Sequence, residues 1–300
     1  MIVSLDEAAR LILSGEVVAF PTETVYGLGA NALDAAAVAR VFELKGRPAT
    51  SPLIVHAASL EMAKTLVRDW PAKAEELAQR YWPGPLTLVL PKQPFIPDIV
   101  TAGLNTVGVR VPRHPVALEL LRKAGVPIGA PSANKFMQLS PTTVQHVQAA
   151  FGNAMPIVDG GACAVGIEST VIRVTGDRLE LLRPGMIAFD DVEKKSETGQ
   201  SVAHLAPGMH ARHYSPRTPL LLVHNPSELP STLGAYLWRE RSSSLPGAQM
   251  PMDPSAYAAK LYDALYTLDQ EGWEWIAVEL PPATPEWNAI LDRLCRAATK

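Results

Sequence analysis

Residues 42–56 read FELKGRPATSPLIVH. An apolar helical pattern runs into Lys45, Gly46, Arg47 and Pro48, three small or polar residues follow, and an apolar strand over 52–56 ends in His56. Asp34 is placed to cap the preceding helix, with Val38, Val41 and Phe42 on one face and Gly46 as its stop. Two cations on a Gly/Pro corner ahead of a buried strand pose a question of charge. Arg presents a planar fork that grips phosphate oxygens, Lys a mobile point charge, and together they suit a polyphosphate clamp. The plainer alternative is a solvated helix end whose dipole favours cations.

Outward from that stretch, helices and strands alternate. A helix over 5–14 stops at Gly15, and VVAFP (17–21) is a short buried strand. The stretches 60–67 and 73–82 are helical, 86–90 and 106–111 are strands, and 115–125 is a helix. PIGAPSAN (127–134) is a strand running into a loop, and Ser140 with Pro141 can open a helix through Phe151. PIVDGG, STVIRV and RLELLRPG close this unit near residue 187. The pattern predicts an α/β domain with a mixed sheet. Residues 188–206 are charged and poorly patterned, as a linker is, and APGMHARHYSPRTP (206–219) is basic and edged by proline. The rest predicts strand, helix, strand, helix: LLLVH (220–224), about 255–271, WIAVEL (275–280) and about 285–298.

Bulk properties narrow the function classes. With 300 residues, 47% of them hydrophobic and 19% charged, the chain can bury one large core or two. A net charge of −3 argues against binding nucleic acid by overall charge, though not against a local basic cleft. Cys163 and Cys295 lack metal-ligand spacing and predict buried free thiols in a reducing compartment. The start, MIVSLDEAARLILSGE, reads as an amphipathic helix rather than a signal peptide. No run nears the ~18 apolar residues a membrane span needs, so the cytoplasm is expected.

The Walker A pattern and GxGxxG are absent. The informative residues are polar ones at strand ends, where a rigid sheet positions loops. Arg110 alternates with Val109 and Val111, and an inward Arg wants a carboxylate from protein or ligand. Ser132 and Asn134 can bond a phosphate, a base or their own turn. His56 suits either a satisfied core position or a ligand contact.

Taken together, FPTETVYGLGANA, KGRP…SPLIVH, WPGPLTLVL, TVGVRVPRHP, PIGAPSAN…SPTT, VDGG…GIESTVI and LLRPG resemble, in order, the L-threonylcarbamoyladenylate synthases with their YrdC-like domain. The likeness covers about residues 5–190, and APGMHARHYSPRTP resembles the linker of the longer, two-domain members. It implies a YrdC-like α/β fold of α+β character, a twisted mixed sheet with helices around a concave cleft. That domain would span 1–190, a linker or lid 191–218, and a small C-terminal α/β domain 219–300.

The implied reaction joins L-threonine, bicarbonate and ATP into threonylcarbamoyl-AMP and releases pyrophosphate. The product feeds a downstream tRNA threonylcarbamoyl-transferase machinery that modifies position 37 of ANN-decoding tRNAs. By match, Lys45 and Arg47 would be catalytic, stabilising the leaving pyrophosphate. Lys45, Arg47, Ser51, Thr106, Ser132, Asn134, Ser140, Arg183 and Ala211 would bind ATP. Thr24, His56, Arg110, Ala130 and Ser169 would line the threonine pocket. Mg²⁺ would accompany ATP, without a dedicated protein metal site. Glu23 and Glu168 are acidic candidates for a base. Where longer members often carry Lys and Tyr after the linker's PGM, this chain has His210 and Ala211, and His210, Arg212 and His213 keep the segment basic, as a lid over the site. One alternative is carbamoyl-adenylate formation as in hydrogenase maturation, but two scattered cysteines do not supply the zinc fingers of that class. Another is an RNA-binding module without catalysis, contacting double-stranded RNA or tRNA through a basic cleft.

Overall fold

The computed structural model describes residues 1–48, 50–189, 192–194 and 213–298. The first elements are α1 (Leu5–Leu13), β1 (Val18–Pro21), β2 (Tyr26–Asn31), α2 (Ala35–Lys45), β3 (Ile54–His56), α3 (Leu60–Thr65) and α4 (Ala72–Tyr81). They are followed by β4 (Leu86–Pro91), α5 (Asp98–Thr101), β5 (Thr106–Arg110), α6 (Pro115–Ala124), β6 (Ile128–Ala130), α7 (Val144–Phe151), β7 (Thr170–Thr175), β8 (Arg178–Arg183) and β9 (Glu193–Lys194). The C-terminal unit holds β10 (Leu220–Val223), β11 (Gly234–Trp238), β12 (Gly247–Gln249), α8 (Pro254–Asp269), β13 (Trp275–Glu279) and α9 (Asn288–Ala298).

Helix α2 forms between the expected punctuation. Asp34 Oδ1 accepts from the N–H groups of Ala36 and Ala37 at 2.9 and 3.1 Å, satisfying donors that the first turn leaves open. At the other end Gly46 sits at φ +62° and Arg47 N–H returns to Phe42 O at 3.0 Å, the turn that glycine makes cheaply. Helix α7 starts later than the sequence suggests. Thr143 caps it, accepting from His146 N–H, while Ser140 turns its hydroxyl to Glu168.

Among the described residues the larger sheet runs β1-β2-β6-β3-β5-β4-β7-β8-β9. It is mixed: β3/β5, β4/β7 and β8/β9 are parallel and the other pairs antiparallel. Side chains alternate across each strand, so register decides which residues meet. Ile54 pairs with Ala130 and His56 with Arg110, which puts Ala130, His56 and Arg110 on one face. Val55 and Val109 point the other way, into the apolar cluster under α2 and α4. Helices α1 and α6 pack with Phe20, Ile128 and Ala130 on the opposite side.

Four strands escaped the sequence reading. In β2 the glycines look like turn residues, yet a Cβ on Gly29 would lie 2.6 Å from Phe20 and 2.7 Å from Ile128. They are there for close strand packing rather than for a bend. Strands β11 and β12 join β10 and β13 in a parallel sheet of order β10-β13-β11-β12. Strand β9 lies within the expected linker. Cys163 is buried as expected, whereas Cys295 is exposed. No helix of the described residues is long and apolar enough to cross a membrane.

The two units share one apolar cluster. Val25, Leu139 and Ile167 of the larger unit cluster with Tyr257, Leu261 and Leu265 of α8 and Ile290 and Leu294 of α9. Gly166 makes the closest approach, at φ +78°, where an added Cβ would stand 2.4 Å from Ala258 O. Gly161 has the same φ of +78° but open space around it. Gly161→Ala should therefore cost only the left-handed backbone term, about 1–2 kcal/mol. Gly166→Ala should cost clearly more, because backbone must also move. Urea midpoints of the two variants test this, and equal shifts would contradict the tight docking of α8.

Candidate active site

A narrow cleft opens at the ends of β3, β5 and β6. Thr24, Arg47, His56, Arg110, Ala130, Ser132, Ser169 and Arg183 all line it, as do Glu168, His213 and Tyr214. Every residue expected in the threonine pocket is thus in one place. Of those expected to meet ATP, Arg47, Ser132 and Arg183 are present.

The others sit elsewhere. Lys45 ends α2 and is 3% exposed, its ammonium donating to Ser132 O at 2.6 Å, Asn134 O at 2.5 Å and Asn134 Oδ1 at 3.3 Å. Burial, with Arg47 and Lys135 nearby, pushes it well below its usual range. Asn134 spends its amide on Lys135 O and Gln138 O, both at 2.8 Å. Ser140 is fully buried against Glu168, and Ser51 is buried outside the lining. Thr106 shares the face of Arg110 but lies four residues earlier on β5, about 13 Å away at ~3.3 Å per residue. Ala211, and with it His210, lies outside the described residues.

Arg47 is buried on the corner, with Nη2 donating to Pro52 O at 3.0 Å. Its Nε has no hydrogen-bond partner among the described residues. Burial lowers its pKa to about 10, so it is still cationic at neutral pH. Arg183 ends β8 and grips Ser169, with Nε and Nη2 on its carbonyl at 3.1 and 3.0 Å and Nη2 on its hydroxyl at 3.1 Å. Ser169 Oγ also meets Thr87 Oγ1 at 2.8 Å.

Arg110 finds its carboxylate within the chain. Nη2 stands 2.7 Å from Glu23 Oε1, Nη1 donates to Thr24 at 3.0 Å and Nε to Gly84 O at 3.1 Å. Burial works to raise the Glu23 carboxyl, but Arg110 and the Arg113 N–H outweigh it and hold it below its usual range. Burial beside Arg110 pushes His56 down to about 3, so the imidazole is neutral at physiological pH. Glu168 is likewise held low, its burial outweighed by Arg293 and Arg183 and by the Ser140 hydroxyl.

The sequence reading missed Tyr214 and Arg293. Tyr214 lines the cleft at φ +59°, beside Arg183. It sits in the basic segment already singled out, where the neighbouring histidines drew attention instead. Arg293 lies in an ordinary amphipathic helix and carries no local signal.

Similarity to known proteins converges on one family. Residues 10–185 match a family model described as "Telomere recombination", and residues 174–299 one described as "Threonylcarbamoyl-AMP synthase, C-terminal domain". Threonylcarbamoyl-AMP synthase of Pyrococcus abyssi is 49% identical, over 74% of this chain and 68% of its own. That of Bacillus subtilis is 40% identical, over 98% of this chain and 92% of its own. The crystal structure of P. abyssi Sua5 complexed with L-threonine superposes with a TM-score of 0.91 at 38% identity, covering 98% of this chain and 94% of that one. A full-length HypF structure shares the fold alone, at 21% identity and TM-score 0.52 over 60% of this chain. With both models matched in order along its length, this chain belongs to the threonylcarbamoyl-AMP synthase family, in the two-domain form.

Proposed function

We propose that this cleft makes L-threonylcarbamoyl-AMP from L-threonine, bicarbonate and ATP and releases pyrophosphate. The observation that carries this reading is an imbalance of buried charge. Three guanidiniums, of Arg47, Arg110 and Arg183, line the cleft against one lining carboxylate, Glu168. Glu23 stands behind Arg110. Buried cations need anions, and the Nε of Arg47, without a partner among the described residues, is a donor held ready for one.

Arg47 and Arg183, with Ser132, form the phosphate end. Arg110, Thr24, His56, Ala130 and Ser169 form the amino-acid end. A guanidinium has five N–H donors; Arg110 donates Nη1 to Thr24 and Nε to Gly84 O, while Nη2 stands 2.7 Å from Glu23 Oε1 as an ion pair. The N–H groups not spent on Thr24 and Gly84 suit the carboxylate of threonine. Threonine's amine and bicarbonate give an N-carboxylate and water. That carboxylate attacks the α-phosphorus, and the bond to pyrophosphate breaks. The chain's part is to align reactants and offset charge. Glu23 and Glu168 are held as anions by fixed partners and orient their neighbours rather than shuttle protons. Neutral His56 can exchange a hydrogen bond with the substrate without adding charge.

Lys45 acts one step back, anchoring the Ser132–Asn134 loop. Mg²⁺ would enter with the nucleotide substrate; among the described residues there is no group of three or more His, Cys, Asp or Glu side chains that could hold a metal ion. The working division is a catalytic unit over 1–190, a linker over 191–218 and a C-terminal unit over 219–300. Supply of the product to a tRNA threonylcarbamoyl transferase, contact with tRNA and a cytoplasmic location complete the reading.

Pyrophosphate release, with threonine and bicarbonate each omitted in turn, tests the function, and release indifferent to either would sink it. Arg47→Ala should lower kcat/KM about 10²–10³-fold with little loss of stability, as for one lost charge-stabilising donor. Lys45→Met should lower stability as well, and unchanged pyrophosphate release in Arg47→Ala would remove that residue from the phosphate end.

His56 supplies a pH test. Folded, it titrates at about 3. Unfolded, it returns to about 6.5. Between those values the unfolded chain binds the extra proton, so stability from the neutral, buried form is full above about pH 6.5 and is lost as pH falls, by up to about 1.4 kcal/mol per unit. Between pH 7 and pH 5 the wild type should lose about 2 kcal/mol more than His56→Gln. Parallel losses in denaturant unfolding would show that His56 is not buried as described.

A further inference from the structure

Glu168 forms part of the cleft wall, yet two of its three partners belong to the C-terminal unit. Arg293 Nε of α9 donates to Oε2 at 2.7 Å, the Tyr262 hydroxyl of α8 lies 3.3–3.4 Å from both oxygens, and Ser140 donates to Oε1 at 2.5 Å. Arg293 is 1% exposed. Its other nitrogens reach Pro184 O at 3.0 Å and Asp292 at 2.7 Å. Its guanidinium lies 5.0 Å over the ring of Tyr214, which itself lines the cleft. Gly166, two residues before Glu168, is pressed against the backbone of α8. The segment carrying Glu168 is therefore clamped by the second unit at its backbone and at its carboxylate.

Without Arg293 the carboxylate would keep only the Ser140 and Tyr262 hydroxyls as hydrogen-bond donors, with Arg183 as the remaining cation that lowers it, a costly state for a buried charge. The cations it could turn to are Arg183 and Arg47, which share the cleft with it. We propose that Arg293 is a positioning residue of the nucleotide site: by holding Glu168 it keeps that carboxylate from drawing Arg183 and Arg47 away from the phosphates of ATP. The inference rests on the proposed function and adds that the C-terminal unit completes the phosphate end.

Steady-state pyrophosphate release by the full chain tests it. Arg293→Met should raise the KM for ATP about tenfold or more and move the KM for threonine less than about threefold. Adding Glu168→Gln to that variant should bring the KM for ATP back to within about threefold of wild type, because no charge remains to compete. A purely structural arginine would show neither the selectivity nor the rescue. Asp263→Asn, which weakens the 3.3 Å contact between His146 and Asp263 across the same two units, should leave the KM for ATP unchanged. If Arg293→Met does not fold, Arg293→Lys replaces it, with the same ATP-selective rise and the same rescue expected. An unchanged KM for ATP, an equal rise for both substrates, the same rise in Asp263→Asn, or a folded double variant without rescue would each overturn the proposal. Calorimetric titration of ATP into the same proteins separates the two readings. A wild type that binds ATP but makes no threonine-dependent pyrophosphate overturns the function and leaves the affinities to judge Arg293, whereas one that does not bind ATP overturns both.

Discussion

Among the described residues, the ammonium of Lys45 takes all its oxygens from one loop. A cation removed from water must be given acceptors, and here Ser132 O, Asn134 O and Asn134 Oδ1 supply them. Because Lys45 is the last residue of α2, the contact ties that helix end to the loop after β6. The corner Gly46–Arg47 then has little freedom, and Arg47 is held facing the cleft. The serine of the same loop, Ser132, faces it from the other side.

The same requirement recurs around the cleft. Arg110 is met by Glu23, Thr24 and Gly84 O, and Arg183 by Ser169. Each guanidinium is held by the chain, which fixes its place before any ligand arrives. Such preorganised charge suits a reaction that moves negative charge onto a leaving pyrophosphate. It also opposes folding, since every buried charge loses hydration. The apolar clusters on both faces of the larger sheet offset that loss.

The C-terminal unit is built into this arrangement. Its helices α8 and α9 share a core with Val25, Leu139 and Ile167, and Tyr262 and Arg293 reach through to Glu168. A single apolar cluster thus supports the far wall of the cleft, and the docking of the two units and the placement of Glu168 are one structural event.

Much of this was legible in the sequence where the physics is local. Asp34 and Gly46 mark the ends of α2, because capping depends on residues within one turn. Short apolar runs located β1, β3, β4 and β5. Polar residues at strand ends, read with the family resemblance, located eight residues that line the cleft. Four strands were not legible; in β2 the glycines serve packing against Phe20 and Ile128, which only the assembled sheet brings close. Nor could residue type separate Lys45 from Arg47, two residues apart and both cationic. Which of them faces a ligand depends on carbonyls 87 and 89 residues away. The pairing of Glu168 with Arg293 spans 125 residues. The sequence determined where charge sits along the chain; the tertiary structure decided which charges are neutralised internally and which are left for substrate, because Coulombic pairing depends on distance in space and not on distance along the chain.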